Sequence, residues 1–176
     1  MFEGIKRKIG HFVVKRKYLR KNIEQLAYNS VISNAKDFFF IMPGFDKDFY
    51  HTLEIIKYYQ NQKKVITLFL PEHKYNLIPD KEKYKFISFL PHQVSRFHLP
   101  EKSLVARLNT KEFDVVIDLN RFEDIFFSAI SNIVKSKIRI SFVKELSENY
   151  YNLQIVDKQG DSEPSYKSFL NYLQMF

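Results

Sequence analysis

Three carboxylates stand where the chain is expected to leave a buried strand, a position from which a side chain can act on a bound ligand. Asp46 and Asp48 follow the apolar run of residues 38–42, and Asp118 lies near the end of the run 115–119. Such a carboxylate can act as a general base that takes a proton from a hydroxyl group. Asp46 or Asp48 can instead cap the following helix, because Asp is a favoured N-cap residue. We take Asp48 and Asp118 as the candidate catalytic residues.

Several other kinds of site lack their motifs in this sequence. The chain has only four glycines, and one of them, Gly44, lies in the turn 42–49 after the first apolar run. A dinucleotide fingerprint or a phosphate-binding loop needs several glycines so that backbone N–H groups can close on phosphates. There is no cysteine, the five histidines have no metal-ligand spacing, and no Gly-x-Ser-x-Gly elbow is present. We therefore expect neither a cofactor nor a metal.

Short apolar runs alternate with helical patterns from residue 37 onward, and this alternation positions the carboxylates. The predicted strands are residues 38–42, 65–70, 84–89, 115–119, 137–143 and 153–156. The predicted helices between and after them are residues 48–60, 101–109, 125–134 and 165–174. Strands and helices in this order form right-handed βαβ units. The prediction is an α/β domain at 37–176 with one Rossmann-like, doubly wound parallel sheet and with Asp48 and Asp118 at the same edge.

A basic segment, residues 1–36, precedes this domain. It holds nine of the 28 basic side chains and two of the 20 acidic ones. Apolar residues recur in it at spacings of three and four, typical of an amphipathic helix over residues 2–26: Phe2, Ile5, Ile9, Phe12, Leu19, Ile23 and Leu26. Residues 28–35 are predicted to be a connector. The helix carries eight candidate anion-binding residues: Lys6, Arg7, Lys8, Lys15, Arg16, Lys17, Arg20 and Lys21.

Three partners for this helix stay open at the level of sequence. A basic helix with an apolar stripe can lie on an anionic membrane surface, bind nucleic-acid phosphates, or pack its stripe on the domain or on a partner protein. No apolar run approaches the length of a membrane span, and Lys15-Arg16-Lys17 interrupts the only apolar stretch near the start. We therefore expect a cytoplasmic protein without a transmembrane segment, able to lie peripherally on the inner membrane.

Four segments together resemble the N-terminal half of heptosyltransferase-type glycosyltransferases, the lipopolysaccharide-core enzymes with two Rossmann-like domains. These segments are Met-Pro-Gly-Phe-Asp-Lys-Asp at 42–48, Phe-Asp-Val-Val-Ile-Asp-Leu at 113–119, Lys-Ser-Lys-Ile-Arg-Ile-Ser-Phe at 135–142 and Tyr-Leu at 172–173. The resemblance covers residues 38–176. In layout the chain is also similar to short bacterial proteins that join a basic N-terminal helix to one such half-domain.

The resemblance implies that Asp48 aligns with the family's catalytic base. The chain departs from the family pattern at Met42, which stands in place of arginine, and at Lys47, which stands in place of glycine. The sequence ends where the family's nucleotide-sugar domain would begin, so we expect a degenerate or accessory half-domain that transfers no sugar by itself. Two alternatives are a nucleic-acid or ribosome-associated module acting through the basic helix, and a peripheral membrane scaffold.

Overall fold

The computed structural model describes residues 2–19, 28–158 and 160–176. Six strands form the sheet: β1 (Asp37–Ile41), β2 (Val65–Pro71), β3 (Lys85–Phe89), β4 (Glu112–Asp118), β5 (Lys135–Phe142) and β6 (Leu153–Ile155). The α-helices in these described ranges are α1 (Phe2–Lys17), α2 (Tyr28–Asn34), α3 (Asp46–His51), α4 (Leu53–Asn61), α5 (Lys102–Leu108), α6 (Ile125–Ile133) and α7 (Ser162–Leu173).

The strands make one sheet in the order β3-β2-β1-β4-β5-β6, and every neighbouring pair is parallel. The predicted Rossmann-like α/β fold is therefore confirmed. Strand order reverses between β1 and β4, where Phe40 pairs with Ile117 and Ile41 pairs with Asp118. In open α/β sheets, ligands bind outside the carboxyl ends of the strands at this switch point.

Helices cover both faces of the sheet, which explains why the central strands are apolar throughout. Side chains of β1 alternate between two buried clusters: Phe38 and Phe40 face one, and Phe39 and Ile41 face the other. The first cluster is completed by residues of α2, α4 and α7, and the second by residues of α1, α5 and α6. β1 therefore buries side chains on both of its faces, as a central strand of a doubly wound sheet does.

The helix predicted at residues 48–60 is two helices, α3 and α4, that meet at Thr52. The Thr52 hydroxyl donates to the Phe49 carbonyl at 2.6 Å, and the Thr52 N–H donates to the same oxygen at 3.3 Å. These bonds to the residue three positions earlier replace the regular helical pattern, as threonine side chains do when they compete with the backbone. The prediction of one continuous helix over residues 48–60 is therefore wrong.

The connector predicted at residues 28–35 is also wrong, because α2 occupies most of it. Its polar residues bond within the helix: Ser33 Oγ donates to the Asn29 carbonyl at 2.7 Å, and Asn34 Nδ2 donates to the Ser30 carbonyl at 2.8 Å. Ile32 is buried in the first core cluster. Packing of this side chain outweighs the low helix propensity of Asn and Ser.

The N-terminal helix α1 packs on the domain, against α6, through a face that the apolar spacing did not predict. Val14 is fully buried, and His11 Nδ1 lies 2.6 Å from the Tyr150 hydroxyl oxygen. A Cβ on Gly10 would lie 3.0 Å from the Phe97 carbonyl oxygen, so the glycine allows this close approach.

The predicted apolar stripe of α1 points away from this contact. Ile5, Ile9 and Phe12 are 52%, 40% and 62% exposed. The helix ends at Lys17, earlier than predicted, and Leu19 leaves it to pack partly on the second cluster. The remainder of the predicted helix, residues 20–26, lies outside the described residues.

The packing of α1 predicts different effects for two adjacent valines. Val14→Ala should lower the free energy of unfolding by about 2 kcal/mol, because it removes two methyl groups from a fully buried site. Val13→Ala makes the same change at a partly exposed position, so it should cost less than about 1 kcal/mol. Urea unfolding of both variants measures the difference. Equal midpoints would contradict the docking of α1 through Val14.

Candidate functional site

The loops that follow β1 and β4 are bonded to each other at the switch point. Asn120 makes the connection: its Oδ1 accepts the Gly44 N–H at 3.1 Å, and its Nδ2 donates to Asp118 Oδ1 at 2.7 Å. The backbone N–H of Asn120 also donates to Asp118 Oδ1, at 3.0 Å. Asp118 therefore fixes the amide that holds the loop after β1 in place.

The other oxygen of Asp118 is bound by side chains of the segment between β5 and β6. Asp118 Oδ2 accepts from Lys144 Nζ at 2.6 Å and from the Tyr151 hydroxyl at 2.5 Å, and all three side chains are buried. Burial raises the pKa of the Tyr151 hydroxyl, which therefore stays a donor. Both carboxylate oxygens of Asp118 are thus occupied, which favours a structural role for this side chain.

Asp48 lies at the same edge, in the first turn of α3, and it is also buried. Its Oδ1 accepts from Ser162 Oγ at 2.6 Å and lies 3.4 Å from Arg121 NH1. Arg121 in turn contacts Asp157 at 3.0 Å and donates to the Gly160 carbonyl. Asp48 is only 3% exposed, so a ligand cannot reach it without moving these partners.

The helix-cap reading of Asp46 and Asp48 is wrong, since Phe45 occupies the N-cap position of α3. Asp46 instead pairs at 2.9 Å with Lys74, whose side chain is buried. A hydrogen bond from Lys74 and its charge lower the pKa of the exposed Asp46 carboxyl. Lys74 also donates to the Gly44 carbonyl at 2.6 Å, so it supports the turn after β1. No sequence pattern pointed to this contact.

The prediction that Asp48 and Asp118 lie at one edge of the sheet agrees with the placement of both residues. Neither carboxylate faces open space, however, and their catalytic roles stay predictions. Among the described residues, no group of three or more His, Asp or Glu side chains has the arrangement of a metal site.

A cavity of about 240 Å³ opens beside these buried pairs, and we call it the switch-point cavity. Among the residues that line it are Phe45, Asn120, Phe122, Glu123, Asp124 and Phe127. Phe45 and Phe122 are 64% and 58% exposed, and their rings meet edge to face with centroids 5.9 Å apart. Large exposed aromatic rings at a cavity are unusual enough to mark a binding surface.

Glu123 is the carboxyl of this cavity that combines a raised pKa with a buried oxygen lacking a partner among the described residues. Its Oε1 accepts from Ser128 Oγ at 3.1 Å, and its Oε2 is buried without a hydrogen-bond partner in the described part of the chain. Burial raises the pKa of the Glu123 carboxyl to about 7, against the lowering effects of Lys144, Ser128 and Arg7. A carboxyl with that pKa can both give and take a proton near neutral pH.

A second cavity of about 360 Å³ adjoins the first, and Glu123 and Asp124 line both. Gly4 and Arg7 of α1 form part of its wall, so the N-terminal helix reaches the edge of the sheet. Asp124 caps α6 by accepting the Phe126 N–H at 2.8 Å, and burial raises the pKa of its carboxyl. Sequence reasoning missed both carboxylates, although they follow directly after the β4 motif.

The candidate anion-binding residues on α1 fall into two groups. Arg7 forms an ion pair with Glu145 at 2.6 Å, although it is also exposed. The second group in α1 is likewise partly or fully exposed: Lys6, Lys8, Lys15, Arg16 and Lys17. Arg20 and Lys21 lie outside the described residues. Within the described ranges, no helix is both long enough and apolar enough to cross a membrane.

The chain belongs to a family of unknown function, DUF6913, whose sequence profile matches residues 11–176. A search of curated proteins finds no match to the chain. Neither comparison links it to heptosyltransferases.

Removal of the Glu123 carboxylate should change the pH dependence of stability. The folded pKa of about 7 lies above the ordinary value of 4.5. The folded state therefore binds this proton more tightly, and its contribution is complete below about pH 4.5 and lost as the pH rises through about 7. Relative to Glu123→Gln, the native chain should lose about 1 to 2 kcal/mol between about pH 5 and about pH 8, discounted for partial exposure.

Urea unfolding of the native chain and of Glu123→Gln at both pH values measures this loss. Comparison at each pH cancels the titration of the other groups. Glu101→Gln, at an exposed position, is the matched control and should leave the pH dependence as it is in the native chain. A pH dependence that is unchanged in Glu123→Gln would contradict the raised pKa.

The Asp118–Lys144 pair predicts strong coupling between two substitutions. Lys144→Met alone leaves a buried carboxylate without its cation, and Asp118→Asn alone leaves a buried ammonium. Each should cost about 3 to 5 kcal/mol. The double variant should lose clearly less than the sum of the two, because no unpaired charge remains. Urea unfolding of the four proteins gives the coupling, and additive losses would show that the pair contributes little.

Proposed function

We propose that this domain binds a neutral, hydroxyl-rich small molecule of the sugar class in the switch-point cavity. The single observation that carries the proposal is the pairing of exposed Phe45 and Phe122 with the carboxyls of Glu123 and Asp124 around one cavity at the strand-order reversal. A pyranose ring has an apolar C–H face and a rim of hydroxyl groups. The aromatic rings can pack on the C–H face, and the carboxyl oxygens can accept hydrogen bonds from the hydroxyl groups.

The charged side chains that line the switch-point cavity favour a neutral ligand over a phosphorylated one. Of the residues that line the switch-point cavity, Arg121 is the only basic one in the described part of the chain, and Asp48 and Asp157 already bind it. Two carboxyls, Glu123 and Asp124, line the same space and would repel a phosphate. The turn after β1 also lacks the glycines that close on a pyrophosphate.

The proposal retains one part of the glycosyltransferase hypothesis and changes another. A domain that binds a sugar at this edge would correspond to the acceptor side of such an enzyme, consistent with an accessory half-domain. The position of Asp48 behind Arg121 and Ser162 makes it a poor candidate for a base. Glu123 has a buried, unpartnered oxygen among the described residues and a pKa of about 7, and it is the better candidate for moving the proton of a bound hydroxyl.

Saturation-transfer NMR with a panel of neutral monosaccharides tests this function, with each sugar also measured as its phosphate ester. The native chain should bind at least one neutral sugar, and the phosphate should bind more weakly because of Glu123 and Asp124. Phe122→Ala should weaken binding about tenfold, since it removes the stacking surface. Tyr172→Ala removes an exposed aromatic ring from α7 and should leave the affinity unchanged.

Two results would overturn the proposal. One is the absence of binding to every neutral sugar of the panel by a folded protein. The other is equal binding by the native chain and Phe122→Ala, which would place any sugar elsewhere on the surface.

A further inference from the structure

The outer face of α1 combines a row of apolar side chains with basic side chains on both flanks. Successive residues of an α-helix turn by about 100° around its axis, so Ile5, Ile9 and Phe12 share one side. Lys8 and Lys15, seven residues apart, lie along one flank of this row, and Lys6 and Lys17 lie along the other. Arg16 continues the row toward the end of the helix. We call this surface the outer face of α1.

The opposite face of α1 holds the helix on the domain, so the outer face has a defined direction. Val14 is fully buried, His11 is paired with Tyr150, and Arg7 forms the ion pair with Glu145. The three apolar side chains are 40% to 62% exposed. Packing on the domain therefore does not account for them, and the helix presents two separate surfaces.

The charge of the outer face is of one sign. Residues 4–19 contain no acidic side chain, and residues 1–36 carry nearly all of the surplus charge of the chain. Basic residues beside an apolar row can extend toward lipid headgroups while the row enters the boundary with the acyl chains. Each Lys or Arg near an anionic surface adds to the attraction.

We infer that the outer face of α1 docks on the surface of an anionic lipid bilayer, with Ile5, Ile9 and Phe12 entering the headgroup boundary. This surface is distinct from the switch-point cavity. Nucleic acid fits less well, because phosphate contacts need basic side chains and would leave three large apolar side chains in water. The opposite face of this 16-residue helix is packed on the domain. The helix therefore docks parallel to the membrane surface and does not cross the bilayer.

Sedimentation of the full chain with vesicles tests the docking. Phosphatidylcholine vesicles with about one third phosphatidylglycerol should bind the chain, and pure phosphatidylcholine should bind it far more weakly. Added salt should weaken the binding. The triple variant Ile5→Ser, Ile9→Ser, Phe12→Ser should lose at least about tenfold in affinity for the anionic vesicles. The control triple Val156→Ser, Tyr172→Ser, Met175→Ser changes exposed apolar residues elsewhere and should bind as the native chain does.

A tryptophan reporter gives an independent readout, because the chain contains no tryptophan. Phe12→Trp should shift its emission to shorter wavelength on anionic vesicles and be quenched by brominated lipid, whereas the exposed control Met175→Trp should do neither. The inference is overturned if the native chain ignores anionic vesicles, if the serine triple binds them as tightly as the native chain, or if Phe12→Trp shows no shift. Binding of single-stranded RNA by the native chain without any binding of anionic vesicles would likewise overturn the inference.

Discussion

The buried carboxylate of Asp118 is the constraint on which the edge of the sheet depends. It stands at the end of a central strand, where its two oxygens accept from Lys144, Tyr151 and Asn120. Through Asn120 it fixes the turn after β1, and through Lys144 and Tyr151 it fixes the segment between β5 and β6. A charge at this depth is tolerated only because every one of these partners is present. One hydrogen-bond network around Asp118 therefore fixes the loops next to the switch-point cavity.

Two carboxylates five residues apart along the chain have opposite environments. Asp118 has a cation within hydrogen-bonding distance, whereas Glu123 has only the Ser128 hydroxyl and an unpartnered oxygen in the described structure. Lys144 is committed to Asp118 and only partly offsets the burial of Glu123. The network that secures the fold thus leaves the burial of Glu123 only partly compensated, and the pKa of its carboxyl is raised to about 7.

The sequence predicted the sheet and the edge well because both follow from local signals. Apolar runs ended by proline, glycine or aspartate define the strands, and parallel strands place their carboxyl ends together. The partners at that edge depend instead on contacts between distant residues. Lys74 supports a turn 30 residues earlier in the chain, and Arg121 joins the β4 loop to the segment before α7. No periodicity encodes such pairs. For Asp48 and Asp118 the sequence therefore predicted accessible acids. Their burial comes from distant partners, which local patterns do not show.

The two faces of α1 show how a correct pattern can lead to an incomplete interpretation. The spacing of Ile5, Ile9 and Phe12 is helical, and packing on the domain is the usual meaning of such a row. The domain instead takes up the side with Gly10, His11 and Val14, where a small residue and a buried histidine permit close contact. Because Gly4 and Arg7 of the same helix also form the wall of the second cavity, a membrane that held the outer face would hold that wall as well. Docking of α1 on lipid would then orient the carboxyl edge of the sheet relative to the bilayer surface, which would place the switch-point cavity at a fixed distance from the headgroups.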